Sequence, residues 1–87
     1  MREVLLDTEE ITNLAAAHGI ESTSELARRV GYDQSYFRRV LVGERPARPT
    51  HVLALAKVLQ VKPSALLHPS EAHLGEAMDV AAEQVPS

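Results

Sequence analysis

The chain has 87 residues, enough for one folded domain but with little room for a substrate cleft, so we do not expect an enzyme. Its 45% hydrophobic and 24% charged residues are typical of a soluble globular protein, and no apolar run approaches the ~20 residues of a membrane span. Without cysteine, disulfides and thiolate chemistry are excluded, and three aromatic residues favour an aliphatic core of helices over strands. An acidic start in place of a signal segment leads us to expect a cytoplasmic protein.

The net charge of −3 is unevenly distributed along the chain. From Thr23 to Lys62 there are eight basic and three acidic side chains, which give a net charge of +5. The remainder carries one basic and nine acidic side chains, a net charge of −8. A basic middle between acidic ends is typical of a surface that meets nucleic-acid phosphates, although a solvated face with chance clustering is the alternative.

The first 43 residues predict three short helices, each preceded by a capping side chain and followed by a glycine that can stop it. The caps are Asp7, Ser22 and Asp33, and the glycines are Gly19, Gly31 and Gly43. Apolar residues recur at helical spacing within each segment. The second helix spans about two turns, and the third, over residues 34–42, begins about three residues after it.

The segment 43–49 contains two prolines and a glycine, which predict a loop. Thr50 is then the expected cap of a fourth, central and almost wholly apolar helix. Pro63 stands where a short fifth helix would begin. We therefore expect one domain over residues 1–68.

The last segment, residues 69–87, is expected to be a helical tail. Ser70 can cap a helix over residues 71–84 that carries a thin apolar stripe. The stripe consists of Leu74, Met78 and Ala81. It suits a dimer seam or a partner-binding surface, and packing back onto the fourth and fifth helices is an equal alternative.

The third helix has two chemically different faces when it is projected at about 100° per residue. Phe37, Val40 and Leu41 gather on one face, with Tyr36 at its edge. The other carries Ser35, Arg38, Arg39 and Val42, which Gln34 joins from the first turn. Gln can bridge adenine and Arg can grip guanine, so this face has the chemistry to enter a major groove; a merely solvated pair of arginines is the alternative.

The stretch from about Thr23 to Leu67 resembles the helix-turn-helix of Xre/Cro-type regulators and lambdoid-phage repressors. The resemblance is carried by Ser24–Gly31, by Asp33–Leu41, by Gly43 and by the segment Pro49–Leu67. It implies an all-α, five-helix lambda-repressor-like domain followed by a short helical extension. Here Asp33 occupies a position where Ser or Thr is usual.

The resemblance also implies roles for individual residues in binding double-stranded DNA. Base contacts would come from Gln34, Ser35 and Arg39. Contacts to phosphates or flanking positions would come from Thr23, Asp33, Tyr36, Arg38, Arg45 and Arg48.

Other chemistry is weakly indicated. His18, His51, His68 and His73 lack the i, i+4 spacing of a helical metal pair, so structural or solvated roles are favoured and no metal or cofactor is expected.

We therefore expect a transcriptional repressor that binds a pseudo-palindromic operator as a homodimer. One alternative is the antitoxin of a toxin–antitoxin pair, which would regulate its own operon and bind a toxin protein with its acidic tail. Another is a protein-interaction domain that does not bind DNA.

Overall fold

The computed structural model describes residues 4–84, and over this range the chain is all-helical, as predicted. Five α-helices are joined by short connections: α1 (Thr8–Ala17), α2 (Thr23–Val30), α3 (Gln34–Leu41), α4 (Pro49–Leu59) and α5 (Ala72–Gln84). Two 3-10 turns, Pro63–Leu66 and Pro69–Glu71, lie between α4 and α5. No helix in the described range has the length and apolar character needed to cross a membrane.

The three predicted N-terminal caps are confirmed. The side chains of Asp7, Ser22 and Asp33 each accept a hydrogen bond from the backbone N–H three residues ahead, at 3.0–3.1 Å. Each bond satisfies a donor that has no partner within its helix. Gly31 ends α2 in the left-handed conformation, with φ of +96°, which a side chain would disfavour.

The fourth helix begins earlier than predicted. Pro49 is its first residue and Arg48 is its N-cap, so Thr50 lies inside the first turn and does not cap the helix. Proline fits this position because its fixed φ is already helical and no partner is needed for an N–H. The backbone N–H of Arg48 donates instead to Nδ1 of His51, at 3.0 Å.

The predicted fifth helix is only a 3-10 turn, since Leu67 is extended and Pro69 follows His68. The prediction that Ser70 caps the last helix is also wrong. His68 caps the turn Pro69–Glu71 by accepting a hydrogen bond from the backbone N–H of Ser70 at 3.1 Å, and α5 starts one turn later, at Ala72.

The core is aliphatic around a single buried phenyl ring, as the composition predicts. Its most deeply buried large side chains are Phe37, Ile11, Leu55, Leu59, Leu66 and Val52. They come from α1, α3, α4 and the first 3-10 turn, so these elements share one core.

The segment before α1 is paired with two distant parts of the chain. Val4 donates its backbone N–H to the carbonyl of Ala47 at 2.9 Å, and His68 donates to the carbonyl of Leu5 at 3.0 Å. Asp7 donates in the same way to Leu66, at 2.9 Å. These isolated antiparallel bridges fix the loop between α3 and α4 and the turn after α4, and the described residues contain no longer strand.

The C-terminal helix α5 is docked on the turn Pro63–Leu66. The carboxylate of Asp79 accepts hydrogen bonds from the backbone N–H of Ser64 at 3.0 Å and from its hydroxyl at 2.7 Å. Gly75 lies so close that a Cβ there would stand 2.9 Å from Cβ of Ser64. Met78 is buried in the core and Leu74 packs against it, whereas Ala81 is exposed. The structure thus contains the packing alternative for the tail stripe, and its use as a dimer seam or partner surface stays a prediction.

Candidate nucleic-acid interface

Helices α2 and α3 pack directly on each other and are joined by the three residues 31–33. Ala27 is completely buried, and a residue this small allows the two helices to approach closely. The carbonyl of Ala27 accepts hydrogen bonds from the backbone N–H groups of both Gly31 and Tyr32. The turn is therefore held by backbone bonds to α2, which fixes the direction in which α3 leaves it.

Helix α3 buries one face and exposes the other. Phe37, Val40 and Leu41 are at most 7% exposed. The three predicted base-contacting residues, Gln34, Ser35 and Arg39, are all exposed. The structure brings these three side chains onto the outer surface of one short helix, whereas their contact with DNA stays a prediction.

The predicted phosphate-contacting and flanking residues are all exposed as well. They are Thr23, Asp33, Tyr36, Arg38, Arg45 and Arg48. Thr23 is the first residue of α2, and the arginines lie on α3 and in the loop that leads to α4. The carboxylate of Asp33 is engaged as the cap of α3, at 3.0 Å from the backbone N of Tyr36.

The arginines of this surface differ in their partners. On α2, Arg29 forms an i, i+4 ion pair with Glu25 at 3.1 Å, so this charge is partly neutralised. On α3, Arg38 and Arg39 form no ion pair with any carboxylate in the described part of the chain. A guanidinium group can donate in two parallel bonds, which suits phosphate and guanine acceptors.

The loop after α3 is closed by the end of that helix. The carbonyl of Arg39 accepts hydrogen bonds from the backbone N–H groups of Glu44, at 2.8 Å, and of Arg45, at 3.2 Å. The backbone of Arg45 is therefore fixed to the end of α3, and the loop keeps it in one arrangement with that helix.

His51 lies beneath this surface, and the sequence analysis gave it no part in the interface. It is 3% exposed, and its ring lies among all three aromatic side chains of the protein, at centroid distances of 5.0 Å to Tyr32, 5.7 Å to Tyr36 and 6.1 Å to Phe37. Burial and, secondarily, the positive charge of Arg48 lower the pKa of His51 below its usual value of 6.5. The sequence does contain a signal for this role, because His51 stands three residues after the N-cap Arg48. The prediction that the helix begins with Thr50 as its cap concealed this spacing.

Two further histidines have structural partners, in line with the favoured interpretation. Nε2 of His18 lies 2.7 Å from the carbonyl oxygen of Leu59, and His68 caps the turn at Pro69. Among residues 4–84, no three side chains of the metal-binding types are grouped closely enough to hold an ion.

Residues 9–68 match a family model described as a helix-turn-helix domain. This range covers more than half of the chain and contains the whole of α2, the turn and α3. The chain belongs to this helix-turn-helix family and carries a DNA-binding domain of that type. No curated protein and no solved structure gives a significant match.

Proposed function

We propose that this protein is a sequence-specific regulator of transcription, of the Xre/Cro type, that binds double-stranded operator DNA. The observation that carries the proposal is the outer face of α3. Gln34, Ser35 and Arg39 are exposed there, while the fully buried Phe37 anchors the helix from behind. In helix-turn-helix proteins the second helix enters the major groove, where such side chains meet base edges.

Repression through a pseudo-palindromic operator is the mode of action that we favour. A helix of eight residues reads only a few base pairs, so one copy alone gives little discrimination. Two copies related by a two-fold axis double the number of bases read and predict half-sites about one helical turn apart. The protein would block transcription by occupying such a site.

The antitoxin alternative uses the same DNA-binding domain and assigns toxin binding to the acidic tail. A toxin that also used the apolar stripe of the tail would need Met78 at the surface. Met78 is instead 5% exposed in the core of its own chain, and α5 is clasped to the turn Pro63–Leu66 by Asp79. The outer surface of α5, which carries the acidic Glu76 and Glu83 and the exposed Val80, is left for a partner.

The test is selection of binding sites from random DNA, with the wild type and two variants. Arg39→Ala should weaken binding to the selected site by about 1–3 kcal/mol and relax the preference at one base position, because a two-pronged contact to guanine is lost. Lys57→Ala is the matched control, since it also removes one exposed positive charge but lies in the last turn of α4.

A wild type that enriches no sequence, and binds DNA no better than an acidic protein of equal size, would refute the proposal. An identical motif, of equal sharpness, from wild type and Arg39→Ala would instead remove α3 as the reading element. Only the first result would favour the alternative of a protein-interaction domain without DNA binding, since the second still requires sequence-specific binding.

A further inference from the structure

The side chain of His51 joins two of the residues predicted to meet the DNA backbone. Its Nδ1 accepts the backbone N–H of Arg48 at 3.0 Å, and its Nε2 lies 3.2 Å from the hydroxyl oxygen of Tyr36. Tyr36 is on α3, and Arg48 is the N-cap of α4. One buried imidazole therefore connects the reading helix to the start of the next helix.

The partner at Nδ1 determines the direction of the bond to Tyr36. A backbone N–H can only donate, so Nδ1 of His51 carries no proton. A neutral imidazole then has its proton on Nε2, and this N–H donates to the hydroxyl oxygen of Tyr36. The hydroxyl has its own proton left to donate, and Tyr36 is 37% exposed.

The surroundings of this hydroxyl favour an anionic acceptor. It is held by His51 in the first turn of α4, an 11-residue helix whose dipole favours a negative charge at this end, and Arg48, the N-cap of that helix, is exposed. The ring of Tyr36 has little freedom to turn away, since it packs at 6.3 Å from Tyr32 and at 5.7 Å from His51. A phosphate oxygen is the DNA group that suits such a donor.

We propose that His51 is a positioning residue for DNA binding, which holds the hydroxyl of Tyr36 as a donor to a backbone phosphate. The inference rests on the proposed function. His51 touches no DNA itself and acts through Tyr36. Its bond to the backbone N–H of Arg48 at the same time ties the start of α4 to α3, so the hydroxyl of Tyr36 and the backbone of Arg48 keep one spacing.

Three variants separate the two bonds of the imidazole. His51→Asn places an amide oxygen near Nδ1, so it keeps the cap on α4 and loses the bond to Tyr36. His51→Gln places an amide near Nε2, so it keeps a donor to Tyr36 and loses the cap. Tyr36→Phe removes the hydroxyl and leaves the ring, and it is the variant that alters packing least.

The measurement is affinity for a duplex selected from random DNA and for copies of it with one neutral methylphosphonate at each phosphate in turn. Tyr36→Phe and His51→Asn should each weaken binding about 2- to 13-fold, the range of a single hydrogen bond. The double variant should bind no more weakly than either single variant. At one phosphate position, the methylphosphonate should weaken binding of the wild type. The same methylphosphonate should not further weaken binding of Tyr36→Phe or of His51→Asn. Provided that circular dichroism shows it to be folded, His51→Gln should bind with the affinity of the wild type.

Two results would overturn the inference and leave the proposed function intact. One is wild-type affinity for Tyr36→Phe while Arg39→Ala still changes the selected motif. The other is a folded His51→Asn variant that loses affinity additively with Tyr36→Phe, which would give the histidine a purely structural role. A wild type that binds no DNA would refute the proposed function itself, and the inference with it.

Discussion

Removing the clasp between Asp79 and Ser64 should loosen the C-terminal helix and destabilise the whole domain. In Asp79→Ala, the backbone N–H and the hydroxyl of Ser64 both lose their acceptor. Hydrogen bonds to a charged group contribute about 1.5–3 kcal/mol, and a donor left unsatisfied costs about 1–3 kcal/mol. Because both residues are only half-buried, water can replace part of the lost hydrogen bonding. We therefore expect the free energy of unfolding to fall by about 1.5–2.5 kcal/mol.

The loss is measurable by urea denaturation followed by circular dichroism. At about 4–8 °C per kcal/mol for a domain of this size, Tm should fall by roughly 6–20 °C. Ser64→Ala should cost less, about 1 kcal/mol, because it retains the backbone N–H bond. The two variants share a contact, so their effects should combine to less than their sum.

The control is Glu76→Ala, which removes an exposed carboxylate from the same helix. It should change the free energy of unfolding by less than about 0.5 kcal/mol. If Asp79→Ala is no more destabilising than Glu76→Ala, then α5 is not held by the clasp and the tail is an independent segment.

Four further expectations concern the core, the turn, the charges and the buried imidazole. Phe37→Ala should destabilise by about 3–5 kcal/mol in urea denaturation, because the ring is fully buried and stacks on Tyr32 at 5.3 Å; a loss below 1 kcal/mol would contradict this packing. Gly31→Ala should cost about 1–2 kcal/mol of left-handed strain at φ +96°, and unchanged stability would argue against the turn geometry. DNA affinity should fall with salt with a log–log slope of about −4 to −8 if a dimer neutralises roughly five to nine phosphates, whereas a flat response would exclude backbone contact. Since the pKa of His51 is lowered in the folded state, its contribution to the free energy of unfolding is full above pH 6.5 and is lost as the pH falls through the folded pKa. His51→Asn should remove this pH dependence from the free energy of unfolding. The same pH dependence in variant and wild type would refute a lowered pKa for His51.

The helices α1 to α3 were predictable because their signals are local. A capping side chain and a glycine stop act within one turn of the helix end, and each needs only the neighbouring residues. The two faces of α3 were predictable for the same reason, since periodicity alone separates Phe37 from Arg39.

The errors lie where two local signals compete. Thr50 and Pro49 both suit a helix start, and in the structure Pro49 is the first residue of α4. The side chain of His51, inside the first turn, accepts the backbone N–H of the N-cap Arg48. At the tail, Ser70 does not cap a helix because its hydroxyl and its backbone N–H both lie against Nδ1 of His68, at 2.9 Å and 3.1 Å. Contacts between distant residues, such as Asp79 with Ser64 or His51 with Tyr36, could not be predicted, since nothing in the spacing of single residues records which helix faces meet.

The pairing of the first described residues with the middle and the end of the domain has a consequence for the order of folding. Helices α2 and α3 are neighbours in sequence and can dock as soon as both leave the ribosome, because little chain entropy is lost in closing a short turn. Val4, although synthesised first, must wait for Ala47, and Asp7 must wait for Leu66. We therefore expect the pairing of residues 4–7 with these parts of the chain to form late in folding. During synthesis, α2 and α3 would dock on each other before residues 4–7 pair with the rest of the domain.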